Sequence, residues 1–82
     1  MSPEDVRDVT FSLALKTKNA YDEAEVDAYL DRIEATLRGE DSLTARDLRE
    51  VEFTHPGLGR RGYTKDEVDE FLTTVAAILE AR

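Results

Sequence analysis

The apolar positions fall into two long stretches at helical spacing. Val26, Leu30, Ile33 and Leu37 follow one another at intervals of four, three and four, and Val68, Leu72, Val75 and Leu79 repeat those intervals. This is the d-a-d-a stripe of a helix packed lengthwise on another helix. Each stretch predicts a helix of about 16–18 residues, roughly 25 Å long. Tyr29 and Phe71 widen the stripes, and the shorter apolar pairs Val6/Val9 and Leu48/Val51 predict short helices that pack against them. Strand-like alternation never persists. The expected class is all-α: two units of short helix, loop and long helix, with the long helices paired in parallel as a short coiled-coil-like assembly.

The two units are copies of each other. At an offset of 42 residues, Asp5, Arg7, Val9 and Phe11 fall on Asp47, Arg49, Val51 and Phe53. Tyr21, Glu25, Val26, Asp27 and Leu30 likewise fall on Tyr63, Glu67, Val68, Asp69 and Leu72. The copies are read as residues 1–40 and 43–82, joined by Gly39-Glu40-Asp41-Ser42 and together forming one small domain. Helix-start signals repeat with them. Ser2 precedes Pro3, Thr44 precedes Ala45-Arg46-Asp47, and Thr64 with Glu67 reads as a capping box behind the staple Tyr63/Val68. Asp22 and Glu25 stand in the same places in the first copy. The repeated Asp27 and Asp69 are expected to pair with the repeated Arg7 and Arg49.

Composition narrows the functional classes. The chain has 82 residues, 19 Asp+Glu against 11 Lys+Arg, and a net charge of −8. So acidic a surface disfavours general nucleic-acid binding. With no Cys and one His, neither a disulfide framework nor a Cys/His zinc site is available, and no metal or cofactor is expected. The segment Asp22–Asp27 lacks the glycine and terminal Glu spacing of an EF-hand. His55 has no Ser, Cys or carboxylate at a catalytic spacing, and the carboxylates read as caps and solvated helix faces. An enzyme is therefore not expected, and no catalytic residue is named. No apolar run approaches the ~20 residues of a membrane span, and the first residues lack the basic and apolar regions of a secretory signal. The expected compartment is the cytoplasm.

The two inter-helix loops carry the remaining chemistry. Loop 54–63 holds Pro56, three glycines, an isolated Leu58 and the pair Arg60-Arg61. An apolar residue beside two cations suits the interface of an anionic bilayer. The plainer alternative is that Leu58 caps the core and the arginines pair with nearby carboxylates. The first loop keeps Leu15, Lys16 and Lys18 but has no glycine.

The segment LTARDLREVEFTHPGLGRRGYTKDEVDEFLTTV resembles a DivIVA domain, the N-terminal module of bacterial polar and septal scaffold proteins. The run ending in Phe53, the Arg60–Tyr63 step and the Asp66–Leu72 run carry the likeness, and the first copy shares it through DVRDVTF and YDEAEVDAYLDRI. It departs at Asn19-Ala20, where the family pattern has a basic residue and Gly. The resemblance implies self-association through the long helices and a loop tip that meets the membrane at the septum or poles. The tip residues would be Leu58, Arg60 and Arg61, with Leu15, Lys16 and Lys18 as the weaker counterpart. The family's long C-terminal coiled coil has no counterpart after the second long helix, so the resemblance does not extend to filament formation. With two copies in one chain, the seams Val26-Leu30-Ile33-Leu37 and Val68-Leu72-Val75-Leu79 are expected to pair intramolecularly; an intermolecular dimer, swapped or four-stranded, is the competing arrangement. The implied function is a scaffold or adaptor for division or polar growth, with division or cell-wall proteins as partners. The alternative is a soluble protein–protein adaptor that no longer binds lipid.

Overall fold

A computed structural model describes residues 1–14, 19–57 and 60–82. Each copy opens on a short helix, α1 (Pro3–Asp8) and α3 (Ala45–Glu50), and closes on a long one, α2 (Glu23–Leu37) and α4 (Lys65–Glu80). Between them lie three short strands: β1 (Leu13–Ala14), β2 (Ala20–Asp22) and β3 (Gly62–Thr64). The strands form one antiparallel sheet in the order β1-β3-β2. The all-α expectation is therefore wrong: this is a mixed α/β fold. Strands of two or three residues cannot display the alternation by which a strand is recognised, and β3 pairs with residues 40 or more positions away.

The sheet joins the two copies. β2 and β3 cross antiparallel with Tyr21 opposite Tyr63, Ala20 opposite Thr64 and Asp22 opposite Gly62. At the 42-residue offset each of these pairs maps onto the ribbon itself, so the crossing is a local pseudo-twofold centre. Its flanks obey the same relation: the Thr64 amide donates to the Ser12 carbonyl at 2.9 Å, and the Asp22 amide donates to the Thr54 carbonyl at 2.9 Å.

The parallel zipper of long helices needs correction too. Among the described residues the close backbone approaches between helices run within each copy, α1 on α2 and α3 on α4. Val26, Ile33, Val68 and Val75 are buried to 1% exposure or less and Leu72 to 7%, while Leu30, Leu37 and Leu79 pack half-buried at the edge. They meet in one core that also takes in Val6, Leu43, Leu48 and Ala76. The short helices thus fill space that a two-helix seam would have closed.

Local chemistry sets the element ends. Ser2 and Asp5 form a reciprocal capping box on α1, and Thr44 and Asp47 form another on α3. The α2 helix stops at Gly39, whose φ of 83° suits only a residue without a Cβ. The Gly39 amide donates to Thr36 at 3.1 Å and the Glu40 amide to Ala35 at 2.8 Å, the two bonds of a Schellman turn. The buried Thr36 hydroxyl then accepts from the Leu43 amide at 3.2 Å and fixes the entry to the second copy.

The expected Thr64–Glu67 box does not form. The Thr64 side chain makes no cap bond; its hydroxyl donates to the Ser12 carbonyl at 3.0 Å, and Glu67 accepts from the Ser12 amide at 3.3 Å. Glu25 does the same for the other copy, accepting from the Thr54 amide at 3.2 Å and from the Thr54 hydroxyl. The backbone of the opposite copy would otherwise be left short of partners, so it outcompetes a local cap that water can replace.

Gly62 is buried in the middle of the sheet, and a Cβ there would run into the Tyr21 carbonyl and lie 3.0 Å from the Pro56 ring. Backbone on the far side cannot yield as a flexible side chain would. Gly62→Ala is expected to destabilise the protein by about 1–3 kcal/mol in urea unfolding. A change within error would mean that β2 and β3 separate at little cost.

Candidate functional site

The sheet end of the molecule differs chemically from the rest. Residues 9–21 and 53–65 contain no Asp or Glu; all 19 carboxylates lie outside them, whereas Lys16, Lys18, Arg60, Arg61 and Lys65 lie inside. These two segments contain β1, β3 and most of β2. The two segments thus bring no carboxylate of their own to the sheet end, which Asp22 of β2 and the side chains of Glu25 and Glu67 border. Arg60 and Arg61 are both exposed there, and no carboxylate comes within ion-pair distance of either among the described residues. The Arg60 amide donates to the Gly57 carbonyl at 2.9 Å, a turn that sets the guanidinium on the loop surface. Of the six expected tip residues only these two can be placed; Leu58, Leu15, Lys16 and Lys18 lie outside the described residues. Leu13 on β1, which pattern reading did not single out, is 46% exposed.

The scaffold beneath this end is a set of bonds exchanged between copies. The Tyr21 phenol donates to Asp69 at 2.6 Å, and the Tyr63 phenol donates to Asp27 at 2.7 Å. The rings are held from the side as well: Phe11 packs edge-on to Tyr63 with centroids 5.5 Å apart, and Phe53 tilts onto Tyr21 at 5.1 Å. These phenols take the carboxylates that had been assigned to Arg7 and Arg49. Arg49 instead pairs with Glu80, and Arg7 approaches Asp8 at 4.0 Å. A phenol on a stiff aromatic ring, aimed by strand pairing, loses less side-chain entropy than a long arginine. The repeated Tyr and Asp, two polar identities kept in both copies, were the signal for this contact.

The two copies part company at Pro56. Its counterpart Ala14 sits in β1 opposite Gly62. Pro56 has no N–H with which to extend a strand along β2. Nδ1 of His55 lies 3.0 Å from the Ala20 carbonyl oxygen and supplies the donor instead, which places the proton on Nδ1. The single histidine is thus a backbone substitute in a loop. Among the described residues no group of three His, Asp or Glu side chains is placed to hold a metal ion. No described helix is long and apolar enough to cross a membrane.

No family model, curated protein or solved structure matches the chain.

The phenols also carry a pH signature. The hydrogen bond to Asp27 pushes the Tyr63 phenol up to about 12, aided by burial and by the charges of Asp27 and Glu23; burial, then the bond to Asp69, raises Tyr21. Both remain protonated donors at neutral pH. Unfolded tyrosine ionises near 10, so stability held by the protonated phenols is complete below about pH 10 and is lost as pH rises towards 12. Urea midpoints measured from pH 8 to 12 should fall more steeply for the wild type than for Tyr21→Phe with Tyr63→Phe. Parallel curves would mean that the Tyr–Asp bonds contribute nothing to folding.

Proposed function

We propose that this chain is a non-enzymatic DivIVA-like scaffold or adaptor module for bacterial division or polar growth, and that its sheet end meets an anionic surface such as the inner face of the membrane. The observation that carries the reading is the pair of segments without Asp or Glu, 9–21 and 53–65, with Arg60 and Arg61 exposed and unpaired among the described residues. The resemblance of residues 43–75 to a DivIVA domain supplies the cellular setting. A cation near an anionic bilayer contributes about 1 kcal/mol, so two arginines give a weak, salt-sensitive contact. Such a contact needs several modules acting together to hold a protein at a surface.

A second reading is favoured by one observation. The α2 helix carries an exposed acidic face that an anionic membrane would repel, which suits a soluble adaptor working through a protein partner. Co-sedimentation with vesicles of phosphatidylcholine containing phosphatidylglycerol separates the two. The expected result is binding that weakens with added salt and drops about tenfold or more in Arg60→Ala with Arg61→Ala. Wild-type protein left in the supernatant, or binding indifferent to the double substitution, would leave the soluble adaptor as the function.

A further inference from the structure

The pseudo-twofold relation makes one half of the molecule a control for the other. Beside each long helix lies a cleft whose other wall belongs to the opposite copy. The cleft beside α2, of about 330 Å³, lies between Tyr29 and Arg32 and the α3 residues Asp47 and Glu50. The cleft beside α4, of about 300 Å³, lies between Phe71 and Thr74, the counterparts of Tyr29 and Arg32, and Thr10 and Phe11 of the first copy. Both run between copies rather than between the two helices of one copy.

The cleft beside α2 answers its own charges. Arg32 donates to Asp41 from two nitrogens, at 3.0 and 3.3 Å. Glu50 pairs with Arg46 at 3.2 Å, and Asp47 is held in the α3 capping box. Glu25, on the same helix, spends both carboxylate oxygens on Thr54, and three residues further on stands the uncharged Ala28.

Beside α4 the same positions read differently. Thr74 replaces Arg32, and Glu70 replaces Ala28. The Thr74 hydroxyl donates to the Glu70 backbone carbonyl at 3.1 Å and brings no charge. Glu67 and Glu70 both line the cleft. Among the described residues one oxygen of Glu67 accepts from the Ser12 amide, its other oxygen accepts nothing, and the Glu70 carboxylate has neither a hydrogen bond nor an ion pair. Like charges three residues apart on a helix repel each other. The rest of the lining is largely aromatic: Phe11 and Phe71 pack edge-on with centroids 5.7 Å apart. Two carboxylates without a cation thus share a cleft with two rings, where the twin cleft carries its own guanidinium.

We propose that the cleft between α4 and residues 10–11 binds an aliphatic polyamine, with one ammonium group held by Glu67 and Glu70 and the methylene chain laid on Phe11 and Phe71. The lining selects this class of ligand. The glutamates repel anions, and burying them under a neutral apolar ligand would strand two charges. A bound metal ion would want further oxygen or nitrogen ligands, and no group of three His, Asp or Glu side chains gathers here among the described residues. A fully methylated ammonium has no N–H for the carboxylates, whereas a primary ammonium donates to both and is attracted by aromatic rings as well. A second positive charge on the chain suits a protein of net charge −8. The cleft shares no residue with the cationic loop, so this proposal and vesicle binding stand or fall separately.

The test is an amide-resolved NMR titration of the full chain with spermidine. Magnesium chloride at matched ionic strength controls for general attraction to an acidic protein, and N-acetyl-lysine methylamide presents a single ammonium as a protein side chain would. Saturable shifts are expected at Phe11, Glu70 and Thr74 and not at their counterparts Phe53, Ala28 and Arg32. Affinity should fall about fivefold in Glu70→Gln, which removes one charge contact from an exposed side chain. Thr74→Arg, which gives α4 the cation that α2 carries at the same place, should fill the site from within and lower affinity at least as far. The proposal is overturned by the absence of saturable shifts at those residues, by equal shifts with magnesium, by larger shifts along Glu23, Asp27 and Asp31, or by affinity that survives either substitution. Equal affinity for the lysine derivative would also overturn it, since the occupant would then be a protein side chain.

Discussion

The antiparallel crossing of β2 and β3 is the contact on which the rest of the molecule depends. Two strands of three residues meet at Tyr21 and Tyr63, and around that point each copy gives the other a phenol, a glutamate and an edge of backbone. No single one of these bonds is strong; partly exposed hydrogen bonds are worth about 1 kcal/mol each. Their arrangement matters more than their sum. The Tyr21 and Tyr63 phenols and the Ser12 and Thr54 amides of each copy find their acceptors in the other, so neither half satisfies these groups alone. A chain of 82 residues has a small core, and this exchange makes the two half-cores close together.

This dependence explains what pattern reading could and could not see. The duplication, the helix positions and the caps at Ser2, Thr44 and Asp22 are properties of neighbouring residues, and they were legible. The sheet was not, because its strands are shorter than one period of alternation and their partners lie in the other copy. Thr64 and Glu67 satisfy every local rule for a capping box yet spend their hydrogen bonds on Ser12. Arg49 stands where a partner for Asp69 would be expected, but strand pairing had already delivered the Tyr21 phenol there. In each case a non-local partner displaced a plausible local one. Of the cationic tip, Arg60 and Arg61 could be located and their charge environment read, because the meaning of those residues depends on where the carboxylates went.

Duplication within one chain also allows what a symmetric dimer forbids. Two identical chains must present two identical grooves and two identical loops. Here the halves have kept the residues that hold them together, Tyr21/Tyr63, Asp27/Asp69 and Glu25/Glu67, while the residues around those anchors have drifted apart. The two long helices carry the same net charge at different positions, and one loop has acquired Pro and Gly where the other has not.

The proline beside β2 has a consequence for behaviour in a crowded solution. A small sheet with open margins invites strands from neighbouring molecules to add on, which leads to aggregation. On one margin Pro56 and the imidazole of His55 occupy the place where an incoming strand would pair. On the other, among the described residues, β1 offers Leu13 and Ala14, a short template for an added strand. Among the described residues the sheet is thereby terminated on both sides without a covering helix, which disfavours edge-to-edge growth into fibrils.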